Sequence, residues 1–309
     1  MSNFIKKLEQ KVGIDDLLER IQTKLTGSEF NSLLLALYKK RTADLKPAEV
    51  LNAYQQNRFV VPSKIDPVQY KQEEIRWLNK AQEREYQSIQ LSPLAPLGTS
   101  SVFGFVDQNR IVSATRGCEI VSDATNVLAM HIAQEFKSSR DAGLLRFCTT
   151  QRFTRAQQFS DPRFTAHFGI YCMVSGGLTE AGKAADTTMA IEHIKFYFDM
   201  LVERFDIADL SLDLEYGNSQ AGWVPFIKEA ASEACPGMTI HTRNQLDGTS
   251  YYQKLRFRLY LDLDGDRINL ADGGFVDWMQ QMLSNKKLRM MISGIGLEMA
   301  HNLGKAGAS

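Results

Sequence analysis

Apolar residues recur with helical period through the first sixty positions. In "NFIKKLEQKVGIDDLLERIQTKL", Phe4, Ile5, Leu8, Val12, Leu17, Leu18 and Ile21 fall near 3.6-residue spacing. Gly27 and Ser28 punctuate the run, and Ser28 stands where "EFNSLLLALYKKR" needs an N-cap. Pro47 suits the first turn of a third helix, "KPAEVLNAYQQN". Residues 1–60 therefore predict a small helical segment, either a domain of its own or a packing arm. "RFVVPSKIDP" follows, and Pro62 and Pro67 exclude a continuous helix there.

From residue 66 the period changes repeatedly. "VQYKQEEIRWLNKAQEREY" predicts a helix, and "QSIQLSPLAPLG" a strand ending in prolines. "SVFGFVDQNRIVSATR" predicts a hairpin, and "SDATNVLAMHIAQEF" a helix with Ser122 or Asp123 at its cap. "LLRFCTTQRFTR" and "RFTAHFGIYCMVSGG" predict two strands. "ADTTMAIEHIKFYFDMLVERF" is an amphipathic helix, "LSLDLEYG" a strand and "GWVPFIKEAASEA" a helix. The stretch Ser250–Ala300 reads as two strands, a helix, a strand and a helix, with glycines at the joints. Asp264-Gly265 in "DLDGDR" predicts a hairpin turn. A calcium loop is excluded, since Arg267 replaces the required glycine and no glutamate closes the loop.

The composition narrows the class. Among 309 residues, 44% are hydrophobic and 23% charged, which fits a globular domain or two. Lys plus Arg and Asp plus Glu number 36 each, so no global basic excess attracts a polyanion. Cys118, Cys148, Cys172 and Cys235 never form CxxC, and the five histidines show no metal-ligand spacing; no metal site is expected. No apolar run spans a bilayer, and "MSNFIKKLEQ" lacks the apolar core of a signal peptide. A cytoplasmic protein is expected.

The order of elements over roughly 66–305 resembles the catalytic domain of class II aminoacyl-tRNA synthetases. The nearest types are histidyl-tRNA synthetase and its relative, the regulatory subunit of ATP phosphoribosyltransferase. The resemblance implies an α+β fold, a mostly antiparallel sheet flanked by helices, as one domain over 66–309. It also implies a homodimer through the helix–strand–proline layout of residues 66–98. No anticodon-binding domain fits in the few residues after the last motif, which argues with the neutral charge against tRNA as partner.

The motifs carry the resemblance residue by residue. "VSDATNVLAMHIA" is similar to the segment in which an acid and a threonine receive the ligand's amino group, at Asp123 and Thr125. A carboxylate beside a hydroxyl suits an ammonium; an aspartate here also serves as a helix cap. "TTQRFTR…RFTAHF" resembles motif 2, whose arginine holds the α-phosphate of ATP and whose phenylalanine stacks on adenine. Arg152 and Phe168 match, and Arg155 and Arg163 keep the loop positive. The acid two residues on is Thr154 here. The glutamine and glutamate that grip histidine fall at Ile170 and Val174, so histidine itself is not expected to bind. His167 stands beside Phe168, where it could reach a pocket.

Further on, "DGTSYYQKLRFRLYL" is similar to an Arg-Gly-Leu-Asp-Tyr-Tyr segment. Tyr251 and Tyr252 match as pocket wall or as half-buried strand aromatics, and Phe257 aligns. Asp247 takes the place of the arginine. "LADGGFVDWMQQML" resembles a Gly-Gly-Arg-Tyr-Asp turn, with Gly273, Gly274 and Asp277 matching and Phe275 in place of arginine. "ISGIGLEMA" resembles motif 3, with Gly294, Gly296, Leu297 and Glu298 matching and Met299 in place of the γ-phosphate arginine. The framework persists while charges for the triphosphate are gone. The resemblance implies ATP or AMP with Mg as candidate cofactors, a small amino-acid-like ligand, and a partner protein. Two expectations follow. One is a catalytically reduced paralogue in a regulatory or scaffolding role. The other is a divergent ligase that activates a carboxylate with ATP for a non-tRNA acceptor. An RNA- or protein-binding module with an empty pocket is the third possibility.

Overall fold

A computed structural model describes residues 2–139, 143–156, 165–179, 182–246 and 251–306. The chain opens with four helices rather than three: α1 (Ser2–Val12), α2 (Leu17–Lys24), α3 (Gly27–Thr42) and α4 (Pro47–Gln56). Gly13 adopts φ +71, which closes α1 and splits the expected first helix. The cap of α3 is Thr26, not Ser28. Its hydroxyl accepts from Glu29 N while Glu29 accepts from Thr26 N, a reciprocal capping box. Helices α2, α3 and α4 bury no residue. An extended linker joins this arm to α5 (Pro67–Gln82), whose N-terminal amides of Val68 and Gln69 are capped by Asp66.

The next segment departs most from expectation. Pro93 interrupts the expected strand, leaving β1 (Gln87–Ser88) and β2 (Leu94–Pro96) as separate short strands. The expected hairpin begins instead as α6 (Thr99–Gly104). The buried Glu119 carboxylate accepts from Gly98 N and Ser100 N, both at 2.8 Å, and so fixes a helical turn there. The hairpin proper is β3 (Ser113–Ala114) and β4 (Cys118–Ile120), turned by Arg116 and Gly117 at φ +71 and +66. Helix α7 (Ala124–Ser138) follows.

The remaining elements are β5 (Leu144–Thr154), β6 (His167–Leu178), α8 (Lys183–Val202), β7 (Leu210–Tyr216), α9 (Val224–Ala234) and β8 (Thr239–Asn244). Then come β9 (Leu255–Leu263), β10 (Asp266–Phe275), α10 (Trp278–Leu283), β11 (Leu288–Ile295) and α11 (Leu297–Ala306). Eight strands form one sheet in the order β1-β5-β6-β11-β10-β9-β7-β8, and β2-β4-β3 form a small second sheet. The internal pairings of the large sheet are antiparallel, but β1–β5 and β7–β8 at the two edges are parallel. The sheet is therefore mixed, not antiparallel throughout. Strand β8 returns from β7 through α9, a helical crossover that brings strands in parallel. The Asp264-Gly265 turn between β9 and β10 is as expected, with φ +53 and +85.

Both faces of the sheet bury apolar side chains. On one, Trp77 of α5, Phe196 and Tyr197 of α8 and Ile227 of α9 meet Tyr171, Phe257 and Met291. On the other, Leu128 and Ile132 of α7 and Met279 of α10 meet Phe147, Val174 and Ile292. That second face is polar toward β7–β10, where Asp213, Glu215, Arg256, Arg258 and Asp272 stand on alternate positions. No helix among the described residues is long and apolar enough to cross a membrane.

Candidate functional site

Strand alternation decides which side chains meet. Cys172 and Val174 of β6 pack with α7, so Phe168 and Ile170 share their face by the two-residue period. Gly294 of β11 lies opposite Cys172 and also opposite Asp272 of β10. Ile170, Cys172, Ile292 and Gly294 thereby floor a cleft of about 250 Å³. Its walls are the start of α7, the Tyr251-Tyr252 pair, Asp272 and Arg155.

Asp123 is the N-cap of α7 and also a wall of the cleft. Its carboxylate accepts from Thr125 N at 2.9 Å and from the Thr125 hydroxyl at 2.7 Å. Tyr251 lines the same cleft beside Thr125. Burial, with Asp123 and Asp272 adding, pushes the Tyr251 phenol far above its ordinary range, so it stays a donor. The cap and ammonium-receiver readings of Asp123 are thus compatible in one geometry.

Across the cleft, Tyr252 donates to Asp272 at 3.0 Å, and Arg256 Nε donates to the other carboxylate oxygen at 3.1 Å. Arg256 also faces Glu215 at 3.7 Å, and Arg258 faces the same Glu215 at 3.2 Å. Two guanidinium groups and two carboxylates leave that wall neutral. Arg155 differs. Its Nε donates to the Ser122 carbonyl at 3.2 Å, and its guanidinium lies 5.2 Å from the centre of the Phe168 ring. Among the described residues no carboxylate forms an ion pair with it.

The structure separates residues that the sequence motifs group together. Arg152 does not line the cleft. It pairs with Gly169, on the opposite face from Phe168 and Ile170, and binds Glu298 at 2.6 Å and His167 Nδ1 at 2.8 Å. His167 faces the same way, with Nε2 2.6 Å from the Val61 carbonyl of the linker. Glu298 also accepts from Gly169 N and from the Ser63 hydroxyl. Arg155, one strand period past Phe153, is the arginine of this stretch that lines the cleft. Arg163 and Asp247 lie outside the described residues. Val174 is core beneath α7, whereas Ile170 lines the cleft.

The paired glycines serve packing. A Cβ on Gly273 would sit 2.4 Å from Ser293 Cβ, and one on Gly274 would sit 2.4 Å from the Leu255 carbonyl and 2.5 Å from the Tyr252 ring. Gly274 is what lets Tyr252 lie flat enough to reach Asp272. Gly294 and Gly296 do line the cleft. Phe275 is buried in the core, and Met299 packs at its edge within 3.5 Å of where a Gly296 Cβ would be. Cys172, Ile292 and Asp272 were missed in the sequence, and Arg155 was read only as a charge of the loop. The signal that faces Arg155 into the cleft is the odd-numbered alternation through Phe147, Thr149, Gln151 and Phe153.

No protein-family model matches the chain, and no curated protein matches it. Solved structures do. An ATP phosphoribosyltransferase regulatory subunit/histidyl-tRNA synthetase from Bacillus halodurans C aligns with TM-score 0.62 at 12% identity, covering 79% of this chain and 82% of that one. Apo S. aureus histidyl-tRNA synthetase aligns with TM-score 0.57 at 14% identity, over 80% and 70%. A histidine–tRNA ligase subunit from Alicyclobacillus acidocaldarius aligns with TM-score 0.59 at 10% identity, over 82% and 98%. The fold is that of a class II synthetase-like domain.

Proposed function

We propose, from this class II synthetase-like fold, that the cleft binds a small amino-acid-like zwitterion and does not activate it. The observation that carries the reading is the placement of Asp123 and Arg155 on walls of one cleft. Asp123, held by the Thr125 amide and hydroxyl, suits an ammonium. Arg155, with no carboxylate partner among the described residues, suits a carboxylate or one phosphate. A cleft of about 250 Å³ suits a small metabolite better than a whole nucleoside triphosphate.

Loss of activation rests on Met299 and Asp247, which stand where the resemblance implies two arginines that serve the triphosphate. A group that stabilises only a transition state contributes about 2.7–4 kcal/mol. Two such losses slow a reaction by several powers of ten, since each 1.36 kcal/mol is about tenfold. The role is then regulatory or scaffolding, toward a partner protein, in the cytoplasm. A homodimer through residues 66–98 belongs to the same reading, supported by the exposed Val68, Ile75, Leu94 and Leu97 there. Light scattering that gives a dimer mass supports it, and a monomer at micromolar concentration contradicts it.

The alternative is a divergent ligase. Arg155 against Phe168 sets a guanidinium beside an aromatic face, a pairing that one phosphate and an adenine could use. Amino-acid-dependent exchange of pyrophosphate into ATP separates the two. No exchange is expected with any of the twenty amino acids that bind, and robust exchange with one of them makes the chain a ligase.

A further inference from the structure

We propose that the cleft selects its ligand by an apolar side chain seated on Ile170, Cys172, Ile292 and Gly294, an inference that rests on the zwitterion reading above. The four come from two neighbouring strands and face the same side, so they form one continuous floor. Ile170 and Ile292 offer only carbon. Cys172 is buried, and burial pushes its thiol far above the ordinary range, so it presents an uncharged sulfur. Gly294 offers the space where a side chain would stand. A Cβ there meets Cys172 Sγ at 3.2 Å and Ile170 Cγ2 at 3.6 Å.

Asp272, on the wall beside this floor, is already engaged. Asp272 accepts from Tyr252 and from Arg256, and the charges behind it balance. A cationic or polar ligand side chain would lose its water where it meets the floor, whose residues offer no side-chain nitrogen or oxygen. The ends of the zwitterion are different, because Asp123 and Arg155 lie above the floor on the walls. Main-chain groups of the ligand and its side chain are therefore recognised by separate parts of the cleft. A buried methylene contributes roughly fourfold in affinity, and an unpaired buried polar group costs roughly five- to hundredfold.

The test is calorimetric titration of the full chain with glycine, alanine, valine, leucine, methionine, serine, lysine, aspartate and histidine. Affinity should rise roughly fourfold per added methylene from alanine toward leucine or methionine. The polar and charged members should bind at least tenfold more weakly than leucine. Tighter binding of lysine, aspartate, serine or histidine than of leucine overturns the apolar floor while leaving the zwitterion reading in place. No binding by any amino acid at millimolar concentration overturns both. Gly294→Ala, whose Cβ asks Cys172 Sγ to give by only a few tenths of an ångström, should weaken leucine and methionine at least tenfold and alanine less than twofold. Equal effects on all ligands overturn the proposal. Ile170→Gln is the second variant, expected to weaken leucine and narrow its lead over serine. An unchanged ratio counts against the proposal, and the unliganded melting temperature checks the fold of each variant.

Discussion

Arg152 and Arg155 stand three positions apart along one strand run and serve opposite faces of the sheet. Arg152 binds Glu298 at 2.6 Å on the α5 side, while Arg155 lines the cleft with its guanidinium 5.2 Å from the centre of the Phe168 ring. An odd spacing in an extended chain always separates side chains in this way. The two arginines should therefore fail in different assays. Arg152→Ala leaves Glu298 short of its charge partner, although Gly169 N and Ser63 still bond it. With Arg152 partly exposed, the loss should be about 1–2 kcal/mol of stability. Ligand affinity should stay within twofold. Arg155→Ala should leave the melting temperature nearly unchanged and weaken binding at least tenfold. Urea denaturation and calorimetry on both variants check this, and a reversed pattern would restore Arg152 to the site.

Gly274→Ala should destabilise the chain and disturb the cleft together. The new Cβ would lie 2.4 Å from the Leu255 carbonyl and 2.5 Å from the Tyr252 ring, and backbone cannot swing aside. Overpacking of this kind costs about 1–3 kcal/mol, with Tyr252 displaced from Asp272. A thermal midpoint equal to that of the unchanged protein would contradict the geometry.

Much of the framework was legible because helices and strands print their periods. The α7 cap, placed at Ser122 or Asp123, and the Asp264-Gly265 turn were read from residues that perform the same local job in any context, whereas Tyr251 and Tyr252 came from the motif resemblance and stand before β9 rather than in a strand. The errors came from contacts distant in sequence. Glu119 turns Ser100 into the start of a helix from nineteen residues away, which no local pattern announces. Arg152 resembles the motif arginine by position in a string, yet its parity with Gly169 faces it away. Parity was available, but the run beyond Phe153 had to be read as continuing strand. The neutral wall of Arg256, Arg258, Asp272 and Glu215 requires strand order, which single-sequence patterns do not give.

His193 should give stability a distinctive pH dependence. It is buried between Ser175 at 2.9 Å and Ser293 at 2.7 Å, and its pKa is lowered from 6.5 to about 3 by burial, with Arg146 adding. The unfolded chain therefore binds a proton that the folded chain refuses. Stability is full above about pH 6.5 and falls as pH drops toward about 3, by up to about 1.4 kcal/mol per unit. Carboxylates act lower. For Glu119 and Asp213 burial alone would raise the pKa, but hydrogen bonds from Ser100, Gly98 and Gln108, or from Arg267 and Arg243, hold it below the ordinary value. Their contribution is present above the ordinary carboxylate pKa and is lost as pH falls below about 4. Urea midpoints of the unchanged protein and of His193→Gln between pH 4 and 7 separate the groups. The variant should be less stable at pH 7, because Ser175 and Ser293 lose a partner, but flatter across the window. Parallel curves would remove His193 as the cause.

The central claim is that Asp123 and Arg155 hold the two ends of one small zwitterion. Calorimetric titration of leucine into the unchanged protein, Asp123→Asn and Arg155→Ala tests it, with leucinamide and N-acetyl-leucine as companion ligands. The account predicts that Asp123→Asn weakens leucine at least tenfold and that N-acetyl-leucine, lacking the ammonium, binds both proteins equally poorly. It predicts the matching pattern for Arg155→Ala with leucinamide, which lacks the carboxylate. Leucine bound with the same affinity by all three proteins would contradict it.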